Sequence, residues 1–437
     1  MNPSPRDLCR NLNVENGHLT FAGQDTVALA ARFGTPLYLM DEDTIRRNCR
    51  RYTESFARLF PAGSLALYAS KAASFTELCR IMQTEGMGLD VVSMGEIYTA
   101  CKAGFPMEKV YFHSNHKTQA DIQFALEKGV GCLVVDNEEE LLCLQAEAAK
   151  RNRRQKVLLR ITPGIDPHTY AAVATGQVDS KFGLPIETGQ AQAFLALALQ
   201  QPHLFVAGLH CHVGSQVFTE DVFERSAAVM LAFMADMREK LGLVCQELDL
   251  GGGYGTRYVH SDPEVNIPEK LRSLAAVITA ECRRLRLPLP RVLLEPGRSI
   301  VADAGLTLYT VGSVKQIPGY RTYVSVDGGM TDNPRYALYG SRYTCYIANK
   351  MDEPRDMPCA LVGRCCESGD VIQPQAALPA STGRGDLAAV CTTGAYNYSM
   401  ASNYNRLPRP PVVLLQGGTA RIAVRRETLE DIVALDV

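Results

Sequence analysis

At 437 residues the chain is longer than one hydrophobic core usually serves, so two domains are expected. Its 45 basic and 47 acidic side chains leave a net charge of -2, which excludes a broad positive field for nucleic acid and a polybasic membrane anchor. The expected partner is a small molecule. The start, MNPSPRDLCR, lacks the basic-then-apolar form of a signal peptide and no stretch reaches the apolar length of a membrane span, so a cytoplasmic location is expected. There the 14 cysteines, scattered without a CxxC pair, are expected to be reduced thiols packed as small hydrophobes.

The N-terminal stretch to about Tyr38 has two strand-like runs, LTFAGQ and TPLYLM (35–40), too short to fold alone and expected to join a β domain. EDTIRRNCRRYTESFARLF then reads as a helix capping the barrel that follows. From 39 to 305, eight short apolar runs alternate with helical stretches. The runs are Leu65 to Ala69, Leu89 to Val92, Val110 to Phe112, Cys132 to Val135, Val157 to Ile161, Phe205 to His212, Glu247 to Leu250 and Val292 to Glu295. Between them TELCRIMQTEGM, TQADIQFALEKG, EEELLCLQAEAAKRN and EKLRSLAAVITAECRRL repeat apolar residues at three and four. Alternating strand and helix implies parallel pairing, and eight strands favour a closed (β/α)8 barrel over an open sheet. The runs RNRRQK (151–156) and Glu138 to Glu140 are expected to be solvated surface. From 306 to 437, LTLYTVGSVKQ, RTYVSVDGG, CALVGR, DLAAVCTTG and PPVVLLQGGTARIAV read as short strands of an all-β domain.

Chemistry in such a barrel sits at the C-terminal strand ends, and there the sequence is polar. The first strand ends in Ser70-Lys71, the second in Asp90, the third in His113-Ser114-Asn115, the fifth in Arg160, the sixth in His212-Val213-Gly214-Ser215, the seventh in Gly251 to Gly253, and the eighth in Glu295-Pro296-Gly297-Arg298. Gly251 to Gly253 suit either a phosphate cradle or a tight turn; GGGYGT does not fit GxGxxG, and there is no Walker A sequence. Lys71, flanked by YAS and AAS, is either an exposed lysine or an amine nucleophile in a small apolar setting. An amine beside a phosphate site suggests pyridoxal phosphate, with Glu295 as the partner of the pyridine nitrogen. His212 is placed to stack on an aromatic cofactor, with His210 a hydrogen-bonded interior residue. A zinc site on His210 and His212 lacks completing ligands, and no metal is expected.

Nine strings resemble one family in its own order: YASKA (68–72), GLDVVSMGE (88–96), DSKFG (179–183), GLHCHVGSQ (208–216), DLGGGYG (249–255), EPGRSIVADAG (295–305), DGGMTDNPRYALYG (327–340), CESGD (366–370) and GAYNYSMASNYN (394–405). The family is that of the alanine racemase-like barrel decarboxylases, which use pyridoxal phosphate, and within it the branch acting on diaminopimelate. The resemblance covers nearly the whole chain. It implies that Lys71 carries the cofactor as a Schiff base, that His212 stacks on the ring, that Arg160 lies near its phenolic oxygen and that Glu295 binds its nitrogen. It assigns the phosphate to Ser215, Gly253, Gly297 and Tyr396, and the substrate to Arg298, Arg335, Tyr339, Glu367 and Tyr396. Cys366, the implied proton donor, and Glu367 would come from the other subunit of a homodimer, with Cys365 structural. The implied reaction is decarboxylation of meso-diaminopimelate to L-lysine.

The arginines bear on specificity. Ornithine and lysine end in an ammonium alone, whereas diaminopimelate ends in a carboxylate and an ammonium, for which Arg298, Arg335 and Tyr339, and then Glu367, would be the partners. A same-fold decarboxylase of ornithine, D-lysine or a carboxylated polyamine is the alternative, and a non-catalytic binding protein is a second. Alanine would leave the arginines unpaired. Arg364 and Asn397 replace a proline and a glycine common in relatives, which bears on loop geometry. The sequence leaves open how the segment from Asp166 to Ser180 moves over the site.

Overall fold

The computed structural model describes residues 4–165, 178–218 and 221–437, so most of the segment from Asp166 to Ser180 lies outside the described residues. Two compact units are present, one of Asn48–Gly255 with Val265–Ser299, the other of the chain up to Arg47 with Thr256–Glu264 and Ile300–Val437.

The first unit is a closed parallel barrel. Its strands are β1 (Leu65–Ala69), β2 (Gly88–Val91), β3 (Val110–Phe112), β4 (Cys132–Val135), β5 (Gln155–Thr162), β6 (Leu204–His210), β7 (Glu247–Asp249) and β8 (Arg291–Leu294). Each pairs in parallel with the next, and β8 closes on β1 with Leu293 opposite Leu65. Leu67, Tyr111, Cys132, Val134, Leu158, Ala207 and Leu293 pack together, which fills the barrel with side chains. Helices Thr76–Thr84, Met94–Ala103, Gln119–Lys128, Glu138–Lys150, Gln190–Leu199, Val222–Leu241 and Ile267–Leu285 follow the strands in turn.

Local chemistry fixes several helix ends. Ser93 and Asn137 accept the N–H groups of Glu96 and Glu140 at 3.2 and 3.0 Å, and Thr118 with Asp121 forms a reciprocal capping box. Each such cap is worth about 1 kcal/mol.

The two charged runs expected at the surface are partly turned inward. Glu140 shares the buried helix face of Leu141 and Leu144, and its carboxylate meets Lys117 Nζ at 2.9 Å, with both side chains buried. Helical periodicity, which places 140, 141 and 144 on one side, overrides the local charge. Likewise Gln155 is buried at the start of β5, and Lys156 reaches Glu247 Oε1 at 3.1 Å. Glu247 also binds Arg291 at 2.6 Å and Tyr111 Oη at 3.2 Å. One buried carboxylate thus ties β3, β5, β7 and β8 together at the N-terminal end of the barrel, away from the chemistry.

The second unit is mostly sheet. Strand Leu37–Asp41 runs antiparallel to Gly305–Ile317 and parallel to Val412–Gln416, inside a nine-stranded mixed sheet. Leu37, Leu39, Leu306, Leu308, Ala389, Val413 and Leu415 form its core. Residues 12–25 make a separate three-stranded sheet. A short helix, Arg335–Tyr339, interrupts the β structure and carries two of the candidate substrate residues. Among the described residues, no helix is long and apolar enough to cross a membrane.

Candidate active site

The barrel strands deliver their polar ends to one cluster. Lys71, on a single 3-10 turn after β1, has Nζ 3.6 Å from Asp90 Oδ2 on β2. His113, just past β3, lies with Nε2 3.7 Å from Asp90 Oδ1 and 2.9 Å from Glu295 Oε1. His210, the last residue of β6, brings its Nε2 to 3.1 Å from the same Glu295 oxygen. The two imidazoles meet edge to face at 4.8 Å between centroids. Asp249 ends β7, accepts the Gly251 N–H at 2.9 Å and adjoins Glu295. Asp90, His113, His210, Asp249 and Glu295 are all buried.

Burial and charge set the protonation of this cluster. Burial alone would raise the Glu295 carboxyl, but the two imidazoles outweigh it and hold the group well below the usual carboxylate range. Asp249 goes the other way, raised by burial and by the Glu295 charge beside it. Burial pushes His210 down to about 3, so it is neutral. His212 is also held low by burial and by the Lys71 cation, and its Nδ1 accepts the Gly252 N–H at 3.2 Å. That bond leaves a neutral, oriented ring with a flat face to present.

Close packing explains the triple glycine. A Cβ at Gly251 would lie 2.5 Å from His212 Nδ1, and one at Gly252 would lie 1.9 Å from the Glu295 carbonyl oxygen. Bare backbone is needed for β6, β7 and β8 to bring their ends together. Arg298 donates to Ser215 Oγ from Nε at 3.3 Å and from a terminal nitrogen at 3.1 Å. Arg160 is buried over the Phe182 ring at 4.3 Å, with Asp136 Oδ1 3.9 Å from Nε.

Gly253 and Gly297 also lie on the barrel unit, where a Cβ would come 2.1 Å from the Gly214 carbonyl oxygen and 3.0 Å from Ala69 Cβ, respectively; Arg335, Tyr339, Cys366, Glu367 and Tyr396 lie on the sheet unit. Arg335 is buried, its guanidinium carbon 4.3 Å from the Tyr339 ring centroid and 5.1 Å from that of Tyr396. It is therefore not a solubilising surface residue. Tyr396 holds φ at +63°, a left-handed conformation that bulky residues seldom adopt. Among the 14 thiols Cys366 is the exposed one, and its N–H donates to Asn405 Oδ1 at 2.8 Å. Glu367 beside it is exposed, and Cys365 is half-buried with its thiol pushed up to about 11 by burial and Asp370. Asn397 is buried and accepts from the Tyr343 hydroxyl at 3.3 Å, whereas Arg364 keeps its side chain exposed and its N–H on the Gly328 carbonyl.

Residues 42–302 match the family model described as the pyridoxal-binding domain of pyridoxal-dependent decarboxylases. The chain belongs to the pyridoxal-dependent decarboxylases. Like the rest of the family it is a carboxy-lyase that uses pyridoxal phosphate. It is 43% identical over 423 residues to diaminopimelate decarboxylase of Bacillus subtilis strain 168, covering 97% of this chain and 96% of that protein. The crystal structure of diaminopimelate decarboxylase from M. jannaschii in complex with L-lysine superposes with a TM-score of 0.89, at 32% identity over 98% of both chains. A lysine/ornithine decarboxylase from Vibrio vulnificus, complexed with putrescine, gives 0.75 at 26% identity, over 90% of this chain and 97% of that one.

The residues present fit such a cofactor. Both Asp90 oxygens, His113 Nε2, both His210 ring nitrogens, Asp249 Oδ2 and Glu295 Oε1 are buried yet complete no well-aligned hydrogen bond. Unsatisfied polar groups collected at a barrel's chemical end are costly unless a polar ligand meets them. Sequence reasoning named Asp90 and His113 only as strand ends and gave Asp249 no part. The available signal was the run of chemically distinctive residues at seven of the eight strand ends; what it lacked was the register that turns His113, His210 and Asp249 onto one carboxylate.

Proposed function

We propose that this chain decarboxylates meso-diaminopimelate at its D centre to give L-lysine and carbon dioxide. The observation carrying this reading is the likeness, at 43% identity and nearly full length, to a protein of that activity. Arg335 supplies a physical reason. A guanidinium already held between two aromatic rings presents a fixed fork to a second carboxylate, which diaminopimelate has and ornithine lacks.

Pyridoxal phosphate, when bound, supplies an electron sink for the charge left at Cα when carbon dioxide departs. Lys71, whose amine stands at the end of the first barrel strand, would hold the cofactor when it is bound. Asp90 stands as countercharge beside Lys71. Glu295 would be the carboxylate partner of the cofactor's ring nitrogen, and His212 the aromatic side chain that packs on it. Arg160 serves the phenolic oxygen, and Ser215, Gly253, Gly297 and Tyr396 take the phosphate. Arg298, Arg335, Tyr339 and Tyr396 hold the substrate, and Glu367 pairs with its distal ammonium. Cys366 returns a proton to Cα, a task suited to its exposed thiol, and it serves the second subunit of a homodimer together with Glu367.

The reading is tested by borohydride reduction of the pyridoxal-phosphate-loaded protein, followed by peptide mass analysis and chiral analysis of product. The pyridoxyl mass is expected on the peptide holding Lys71, and the product is expected to be L-lysine. The label on another lysine, or D-lysine as product, would contradict it.

A further inference from the structure

Two imidazoles converge on a single oxygen of Glu295. His113 arrives from the end of β3 and His210 from the end of β6, both buried, at 2.9 and 3.1 Å from Oε1. Their edge-to-face contact at 4.8 Å blocks each ring from turning past the other. Asp249 adjoins the same carboxylate from β7. A carboxylate on a free side chain samples several rotamers; one held from two sides through a single oxygen cannot, and its plane and charge become part of the barrel.

We infer that His113 and His210 are positioning residues that clamp Glu295 through Oε1 and keep its carboxylate aimed at the cofactor's ring nitrogen. This deepens the proposed function and rests on its assignment of Glu295. Neutral His210 adds no charge, so its contribution is the close approach of its ring, with Nε2 3.1 Å from Oε1. At metal sites, supports of this kind fix the group that does the chemistry, and their loss costs about 10- to 100-fold.

The test is the dissociation constant of pyridoxal phosphate, titrated by absorbance into the full-length apoprotein. The variants are His113→Ala, His210→Ala and Glu295→Gln, with each histidine change repeated in the Glu295→Gln background. Each single histidine change is expected to weaken binding about tenfold. In the Glu295→Gln background it is expected to add less than about twofold, because the carboxylate being clamped is gone. His210→Gln, which keeps an N–H at the Nε2 position and most of the side-chain volume, is expected to recover most of the loss.

Histidine variants that bind normally while Glu295→Gln binds weakly would overturn the clamp and leave the assignment of Glu295 standing. Equal penalties in both backgrounds would also overturn it. If Glu295→Gln itself binds normally, the assignment fails and the clamp with it. The ligating atoms of His113, His210, Asp249 and Glu295 lie within 4.8 Å of one another, a spacing that also suits a divalent cation. Stoichiometric metal in the purified protein, lost with either histidine, would overturn the clamp in favour of that ion.

Discussion

Arg335 and Cys366 make opposite demands on their surroundings. The guanidinium is buried and stacked on two rings, which fixes its direction, and Arg335→Ala is expected to raise KM for meso-diaminopimelate about 100-fold with Lys71 labelling unchanged. Unchanged KM would move the distal carboxylate elsewhere. Cys366 needs exposure to reach a substrate, and Cys366→Ala is expected to lower kcat about 100-fold or more while pyridoxal phosphate content stays full. Near-normal turnover would pass the proton to another group, with Cys365 first in line. At this scale the sequence was legible where a residue ends a strand and opaque where its meaning is a partner. Lys71 could be picked out from its neighbours YAS and AAS, but the Asp90 carboxylate beside it comes from the next strand, and no local pattern announces that register. Glu295 was legible as a charge at a strand end; the convergence of His113 and His210 upon it was not, because those residues stand 97 apart in the chain and meet only when the barrel closes.

At the scale of elements, the alternation of short apolar runs with three-and-four spacing located all eight barrel strands, since buried parallel strands are continuously apolar and need no partner to be recognised. Charge runs misled, because polarity says nothing about direction until helical phase or strand register is known. Glu140 and Lys156 turned inward for that reason. Glu247 shows what such groups do for the fold. It is buried, and Glu247→Gln would leave Lys156 and Arg291 facing one neutral amide. The expected loss is about 3 kcal/mol in denaturant-induced unfolding of the barrel. Its place at the N-terminal strand ends predicts that kcat stays within about twofold of the parent. A stability loss below about 1 kcal/mol would show that the surrounding charges find other partners.

For the molecule as a whole, a half-buried acid ties stability to pH. Burial raises Glu96 from its ordinary 4.5 to about 7, with the Val92 N–H, 2.8 Å from Oε2, pulling the other way. Because the folded chain holds this proton more tightly than the unfolded one, the stability it contributes is full below about pH 4.5 and is lost as pH rises through about 7. Glu96→Gln, which keeps the acceptor and removes the ionisation, is therefore expected to gain stability on the parent between about pH 5 and pH 8. An equal difference at both would mean that Glu96 ionises without cost. The account of the whole enzyme rests on its substrate, and the most direct measurement is carbon dioxide release from meso-diaminopimelate and from ornithine, side by side, by the pyridoxal-phosphate-loaded protein. The account predicts turnover of meso-diaminopimelate with kcat/KM at least about 100-fold above that for ornithine, the worth of one buried carboxylate-arginine pairing. Equal or faster turnover of ornithine would contradict it.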